Sequence, residues 1–168
     1  MTLPLLRFFV YGSLKRGFNN HHRYCRGVRS VEVTNTAGKL YRLPTGYPVL
    51  VLPESRLLAR GSGDPLVDLE AAQRIERKAV QTGTALTSPP PWGKNRVRGE
   101  LLTFADPIGR LRAIDALEEF RPGHKSRYER VLIEVYSPCH QADVLAWTYV
   151  AGSLPPRRRL IPSGKWAR

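Results

Sequence analysis

Seven short strand-like segments follow one another along this 168-residue chain, and no regular series of helices separates them. Leu5 to Val10 is an apolar and aromatic run interrupted only by Arg7, and it stops at Tyr11-Gly12-Ser13. Val28 to Val33, Lys39 to Leu43, Pro48 to Leu52, Val97 to Phe104, Arg130 to Tyr136 and Asp143 to Val150 complete the set. The Arg130 to Tyr136 segment sets Val131, Ile133 and Val135 against Leu132, Glu134 and Tyr136, the period of two expected of a strand. Parallel doubly wound sheets need a crossover helix between successive strands, so that architecture is excluded. The order predicts an α+β fold in which a mixed or antiparallel sheet curls towards a barrel.

Only two long helical patterns interrupt the strands. Asp64-Pro65 and Asp106-Pro107 each place a side-chain acceptor before a proline at the first helical position. From the first, Leu66, Leu69, Ala72 and Ile75 recur at helical spacing up to Gly83. From the second, a helix is expected to about Glu119, ended by Arg121-Pro122-Gly123. A shorter helix is expected over His21 to Arg26, and Ser88-Pro89-Pro90-Pro91-Trp92-Gly93 reads as a stiff, extended, ordered loop. The length suits one domain spanning 1–168, and no composition shift or repeat marks a boundary.

The charge is the one extreme quantity: 27 basic against 14 acidic residues give a net +13. Such a surface attracts polyanions through long-range, salt-screened forces. The basic residues are scattered, however, and only Arg157 to Arg159 and the Lys94, Arg96, Arg98 group are dense. No nucleic-acid motif accompanies them, so any nucleic-acid binding is expected to be weak and non-specific. Cys25 and Cys139 lack partners at zinc-ligand or disulfide-framework spacing, and His21, His22, His124 and His140 form no metal or triad pattern and are read as surface residues. No apolar run reaches the ~18 residues that span a bilayer, and the first residues lack a signal-peptide pattern; a cytoplasmic protein without a membrane partner is expected.

One carboxylate falls where a core residue belongs. In the second long helix Ile108, Leu111 and Ile114 define the buried stripe, and Glu118, seven residues beyond Leu111, lies about 20° from it. Glu119 turns a further 100° or so, off the stripe. Burial and the negative end of the helix both favour the protonated form of Glu118 and raise its pKa towards neutrality, as a proton-exchanging carboxyl requires. Helical phase alone favours a boundary residue paired with one of the arginines, such as Arg121 or Arg127. The loop after the first strand, Gly12 to Gly17, has phosphate-loop glycine spacing but lacks its Lys and Ser/Thr, and Ser13 is in no nucleophile elbow. Its backbone N–H groups, leaving a sheet, suit a carboxylate or oxyanion nest, or else the loop is a tight turn that needs Gly12.

Taken together these segments resemble one family. Phe9-Val10-Tyr11-Gly12-Ser13-Leu14-Lys15-Arg16-Gly17 with Asn20 is similar to the opening signature of the γ-glutamylcyclotransferase-like (AIG2-like) proteins. Gly38 to Tyr41 with Gly46 to Val49, Val97 to Leu101, the L-D-x-x-E-type block Ile114 to Phe120, Tyr128 to Val131, Ala146 to Val150 and Ile161 to Trp166 resemble the later blocks, in order. The resemblance implies a small mixed β-barrel flanked by short helices, Glu118 as the general base, and Tyr11, Gly12, Ser13 and Leu14 as the substrate cradle. Tyr128 and Tyr149 are candidate cavity-lining hydrogen-bond donors.

The resemblance further implies intramolecular aminolysis of a small-molecule γ-glutamyl substrate, releasing 5-oxoproline and an amine, with no cofactor and no metal. Two features depart from the family pattern. Glu119 stands where a glycine is usual, and the stretch 54–95 looks like a helical insertion whose part, such as covering the cavity, the sequence leaves open. The competing reading is a non-catalytic binding module that uses the same cavity or the basic surface.

Overall fold

The computed structural model describes residues 3–83 and 95–167. The proline-rich connector at 88–93 therefore lies outside the described residues. Nine strands and three α-helices are present among the described residues, in the order β1 (Leu6–Val10), α1 (Asn19–Tyr24), β2 (Val28–Ala37), β3 (Lys39–Arg42), β4 (Pro48–Val51), β5 (Ala59–Arg60), α2 (Pro65–Thr82), β6 (Arg96–Phe104), α3 (Pro107–Leu117), β7 (Tyr128–Ser137), β8 (Ala142–Ala151) and β9 (Arg159–Leu160). A 3-10 turn at Glu54–Arg56 precedes β5. The seven expected strands are all there, and β5 and β9 are two-residue strands too short to leave a periodic signal. α1 begins two residues earlier than expected, and β2 runs on to Ala37 because it stays paired with β6 as far as Ala37↔Arg96.

The strands form a six-stranded sheet, ordered β2-β6-β1-β8-β7-β5, and a three-stranded sheet, ordered β4-β3-β9. β1 runs antiparallel to β6 and parallel to β8, while β6–β2, β8–β7 and β7–β5 are antiparallel. This is the expected mixed α+β fold, but it does not close into a barrel. No backbone ladder joins β2 to β7; side chains tie the two strands instead. Thr34 Oγ1 donates to Tyr136 O at 2.6 Å, and Ser137 Oγ and the Cys139 N–H donate to Glu32 Oε1 at 2.7 and 2.9 Å.

Strand alternation divides the core between the two faces of the large sheet. Phe8, Leu102, Leu132, Trp147 and Tyr149 join Leu69 of α2 and Leu111 and Ile114 of α3 in one cluster. Phe9, Leu101, Val131, Ile133 and Ala146 join Leu40 and Leu50 of the small sheet in the other. Helices thus cover one face and the small sheet the other. The α2 stripe differs from expectation at its first member: Leu66 is exposed, whereas Leu69 and the acidic Asp68 are buried. Both long helices start at the expected caps, Asp64 accepting from Leu66 N and Asp106 from Gly109 N.

Candidate active site

β1 delivers the site loop. Where the strand ends at Val10, the chain turns through Tyr11, Gly12, Ser13 and Leu14, and Lys15 N closes the turn on Gly12 O at 3.1 Å. Among the described residues the N–H groups of Gly12, Ser13 and Leu14 donate to nothing. The neighbours that fix the loop leave those donors alone: Asn20 Nδ2 donates to Ser13 Oγ at 2.8 Å, and His21 Nδ1 lies 2.8 Å from Leu14 O. His21 is therefore half-buried against the loop and not a free surface residue; His22, His124 and His140 are exposed. Gly12 serves close approach and not an unusual φ, since a Cβ there would sit 3.0 Å from Pro48 Cγ.

α3 delivers the carboxylate. It ends at Leu117, with Glu118 as its C-cap, Glu118 N still bonded to Ile114 O at 3.0 Å. Glu119 N then bonds Ala116 O at 3.3 Å and Phe120 N bonds Asp115 O at 2.9 Å, the hydrogen-bond pair that terminates a helix through one left-handed residue. That residue is Glu119, at φ 53°. A non-glycine side chain there costs about 1 kcal/mol or more, which explains why glycine is the usual occupant.

Glu118, Tyr11, Gly12, Ser13, Leu14, Tyr128 and Tyr149 all line one cavity of about 60 Å³, together with Phe9, Val10, Tyr47 and Pro48. The structure thus brings together the candidate general base and all six candidate substrate-binding residues. No described residue of 54–95 lines this cavity. Neither Arg121 nor Arg127 pairs with Glu118, whose carboxyl has no ion-pair or hydrogen-bond partner among the described residues. Burial, followed by the nearby Asp115 charge, pushes its pKa up to about 7.

The tyrosines differ from expectation in one respect. Burial raises the pKa of Tyr11, Tyr128 and Tyr149, so all three keep their protons. Each proton is already committed: Tyr11 donates to Tyr149 O at 2.7 Å, Tyr128 to Pro48 O at 3.0 Å and Tyr149 to Asp115 Oδ1 at 2.6 Å. What the hydroxyls of Tyr128 and Tyr149 can offer a ligand is therefore lone pairs, whereas the Tyr11 hydroxyl also accepts a backbone hydrogen bond from Leu50. The donors left for an anionic group are the loop N–H groups and the hydroxyls of Ser13 and Tyr47, which also line the cavity.

Sequence reasoning missed the layer behind the site. Asp115 Oδ1 and Oδ2 accept from Arg130 Nε and Nη2 at 2.7 and 3.0 Å, and Arg130 Nη2 also donates to Asp68 Oδ2 at 2.8 Å. The guanidinium lies between Phe120 and Trp147, its centre 5.0 and 4.8 Å from their ring centroids. Asp115 and Arg130 stood within the motif blocks; nothing local marked Asp68. Among the described residues no group of His, Cys, Asp and Glu could hold a metal ion, and no helix is long and apolar enough to cross a membrane.

Fold and cavity together define a class: mixed α+β proteins with a half-buried, partnerless carboxylate at a helix end, lining one cavity with a strand-to-loop turn rich in free N–H groups. The chain belongs to the family described as gamma-glutamyl cyclotransferase, AIG2-like, which it matches over residues 8–77 and 69–168. Its fold is similar to that of an AIG2-like protein from Mus musculus (TM-score 0.58, 17% identity, covering 97% of this chain and 88% of that one). An uncharacterised protein from Pyrococcus horikoshii (TM-score 0.52, 18%, covering 95% and 88%) and one from Arabidopsis thaliana (TM-score 0.53, 20%, covering 98% and 70%) share it. No curated protein matches the sequence.

Proposed function

We propose that this protein is an enzyme of the γ-glutamylcyclotransferase type, acting on a small γ-glutamyl amine or peptide with Glu118 as general base. The observation that carries this reading is the partnerless Glu118 carboxyl in the same small cavity as the loop N–H groups. A carboxyl with a pKa of about 7 is ionised in half of the molecules at neutral pH and exchanges protons in both directions.

The substrate's α-nitrogen attacks its own γ-carbonyl carbon. Glu118 removes a proton from that nitrogen, a C–N bond forms, and the carbonyl oxygen becomes an oxyanion that N–H groups of Gly12, Ser13 and Leu14 stabilise. Glu118 then gives the proton to the leaving nitrogen as the original C–N bond breaks, releasing the amine and 5-oxoproline. The lone pairs of Tyr128 and Tyr149 receive the α-ammonium, which gives one proton to solvent before the attack; the proton that Glu118 carries is the second, and the released amine takes up one from solvent. Among the described residues Cys25 and Cys139 are free thiols, which fits a reducing compartment, and the cytoplasm is the proposed setting. Incubation of the purified protein with a panel of γ-glutamyl dipeptides tests the reading: 5-oxoproline is released by the wild type and not by Glu118→Gln. Absence of 5-oxoproline with every dipeptide and every γ-glutamyl amine refutes it.

A further inference from the structure

Asp68 belongs to α2, the helix that no strand pattern or motif block called for, yet it is among the most deeply buried charges of the molecule, with 3% of its side chain exposed. It accepts the Ser62 N–H at 2.8 and 3.1 Å and Arg130 Nη2 at 2.8 Å. The arginine side chain is fully buried and has no room to move: a Cβ on Gly61 would lie 2.9 Å from both Cζ and Nη1. Its Nε–Nη2 edge is held by Asp115, three residues before Glu118, so that Nη2 is shared by the two carboxylates, and Asp115 in turn receives the Tyr149 hydroxyl from the wall of the site cavity.

We propose that Asp68 is a positioning residue for the active site, which shares the Arg130 guanidinium with Asp115 and so fixes both the orientation and the residual negative charge of Asp115 beneath Glu118. The inference rests on Glu118 being the proton-exchanging group. One guanidinium between two carboxylates leaves the cluster with a net charge of about −1, whereas Arg130 and Asp115 alone form a neutral pair. Only the former keeps a negative charge one helical turn from Glu118, where it opposes ionisation. Burial is the main cause that raises the pKa of Asp115, Arg130 and Tyr149 hold it down, and the Asp68 charge adds a smaller rise; for Glu118 burial leads and the Asp115 charge follows. The other polar side chains around the cavity are Ser13 and the tyrosines Tyr11, Tyr47, Tyr128 and Tyr149; the Arg127 charge acts on Tyr128. Among the described residues no cation forms an ion pair with Glu118.

The test is the titration of the Glu118 carboxyl carbon by NMR in protein labelled with 13C-glutamate, the resonance being assigned by its loss in Glu118→Gln. This readout needs no turnover, so its failure is separable from failure of the proposed activity. In folded Asp68→Asn the Glu118 midpoint falls by about half a pH unit, the size of a single charge removed at a distance through partly polar surroundings. Asp68→Ser, which deletes the same charge and leaves space for water on Arg130, moves it in the same direction, and Asp68→Glu stays within a few tenths of a unit of the wild type. On any γ-glutamyl dipeptide the wild type turns over, the acid limb of kcat/KM moves with the NMR midpoint. An unchanged midpoint in either folded neutral variant overturns the proposal. So does failure of both to fold, which makes the role of Asp68 one of stability alone.

Discussion

Replacing Glu118 by glutamine separates the proposed chemistry from stability, because the desolvation that suits this carboxyl to the proposed proton transfer also makes its charge costly. Its pKa rises from 4.5 to about 7 on folding. At about 1.4 kcal/mol per pH unit the ionised side chain costs the folded state up to about 3 kcal/mol, somewhat less where cavity water screens it. The sign follows from the raised value: the folded protein holds the proton more tightly, so the benefit is whole below about pH 4.5 and is lost as pH rises through 7. Wild type should therefore lose about 2 to 3 kcal/mol from this group between pH 5 and pH 8, and Glu118→Gln should not. Near pH 5 the two should melt alike; at pH 8 the variant should melt about 5 to 10 °C higher. Its 5-oxoproline release should fall about 10²- to 10⁴-fold. Parallel melting curves across the pH range, with activity retained, would refute the reasoning.

Glu119→Gly relieves the left-handed C-terminal residue of α3 and should raise stability by about 1 kcal/mol, read by urea denaturation, while keeping most activity. Glu119→Gln, which keeps the backbone cost, should leave both close to wild type. The acid limb of kcat/KM for the free enzyme should have its midpoint near pH 7, with rate rising as Glu118 ionises; a limb near 4.5 would contradict the burial of this group. Gly61→Ala drives a methyl group against the Arg130 guanidinium and should cost about 1 to 3 kcal/mol in thermal unfolding. Binding to a mixed-sequence oligonucleotide should be weak and fall about tenfold or more over a fourfold rise in salt; a complex tight at physiological salt would favour the binding module.

The site's neighbourhood was legible from short-range rules. Helical spacing ran from Leu111 and Ile114 to Glu118, and a strand ending at Tyr11-Gly12 announced freed N–H groups; both signals span a few residues. Asp68 was not legible, because the pairing that explains its burial reaches 62 residues along the chain to Arg130. The same limit hid the exposure of Leu66, since helical periodicity yields a stripe but not the partner that decides which end of it is covered. Closure of the sheet was misjudged for a related reason. Curling follows from strand content, whereas whether β2 and β7 meet by ladder or by side chains depends on Thr34, Glu32 and Ser137. The reason for Gly12 likewise became visible only with Pro48 in place.

β1 is the first strand in the chain, yet it lies in the middle of the large sheet, and its parallel neighbour β8 is nearly the last. The loop it delivers is fastened the same way: Tyr11 donates to Tyr149 O and Lys15 Nζ to Trp166 O, across 138 and 151 residues. Contacts of such separation pay their chain-closure entropy before they return any stability, which assigns the fold to the slow, high-contact-order regime. During synthesis the Tyr11 to Leu14 turn waits, unfastened, until the C-terminal segment leaves the ribosome. The loop is thus fastened only when the segments of Tyr149 and Trp166 have joined it, so that a nascent chain still lacking them carries no fastened loop.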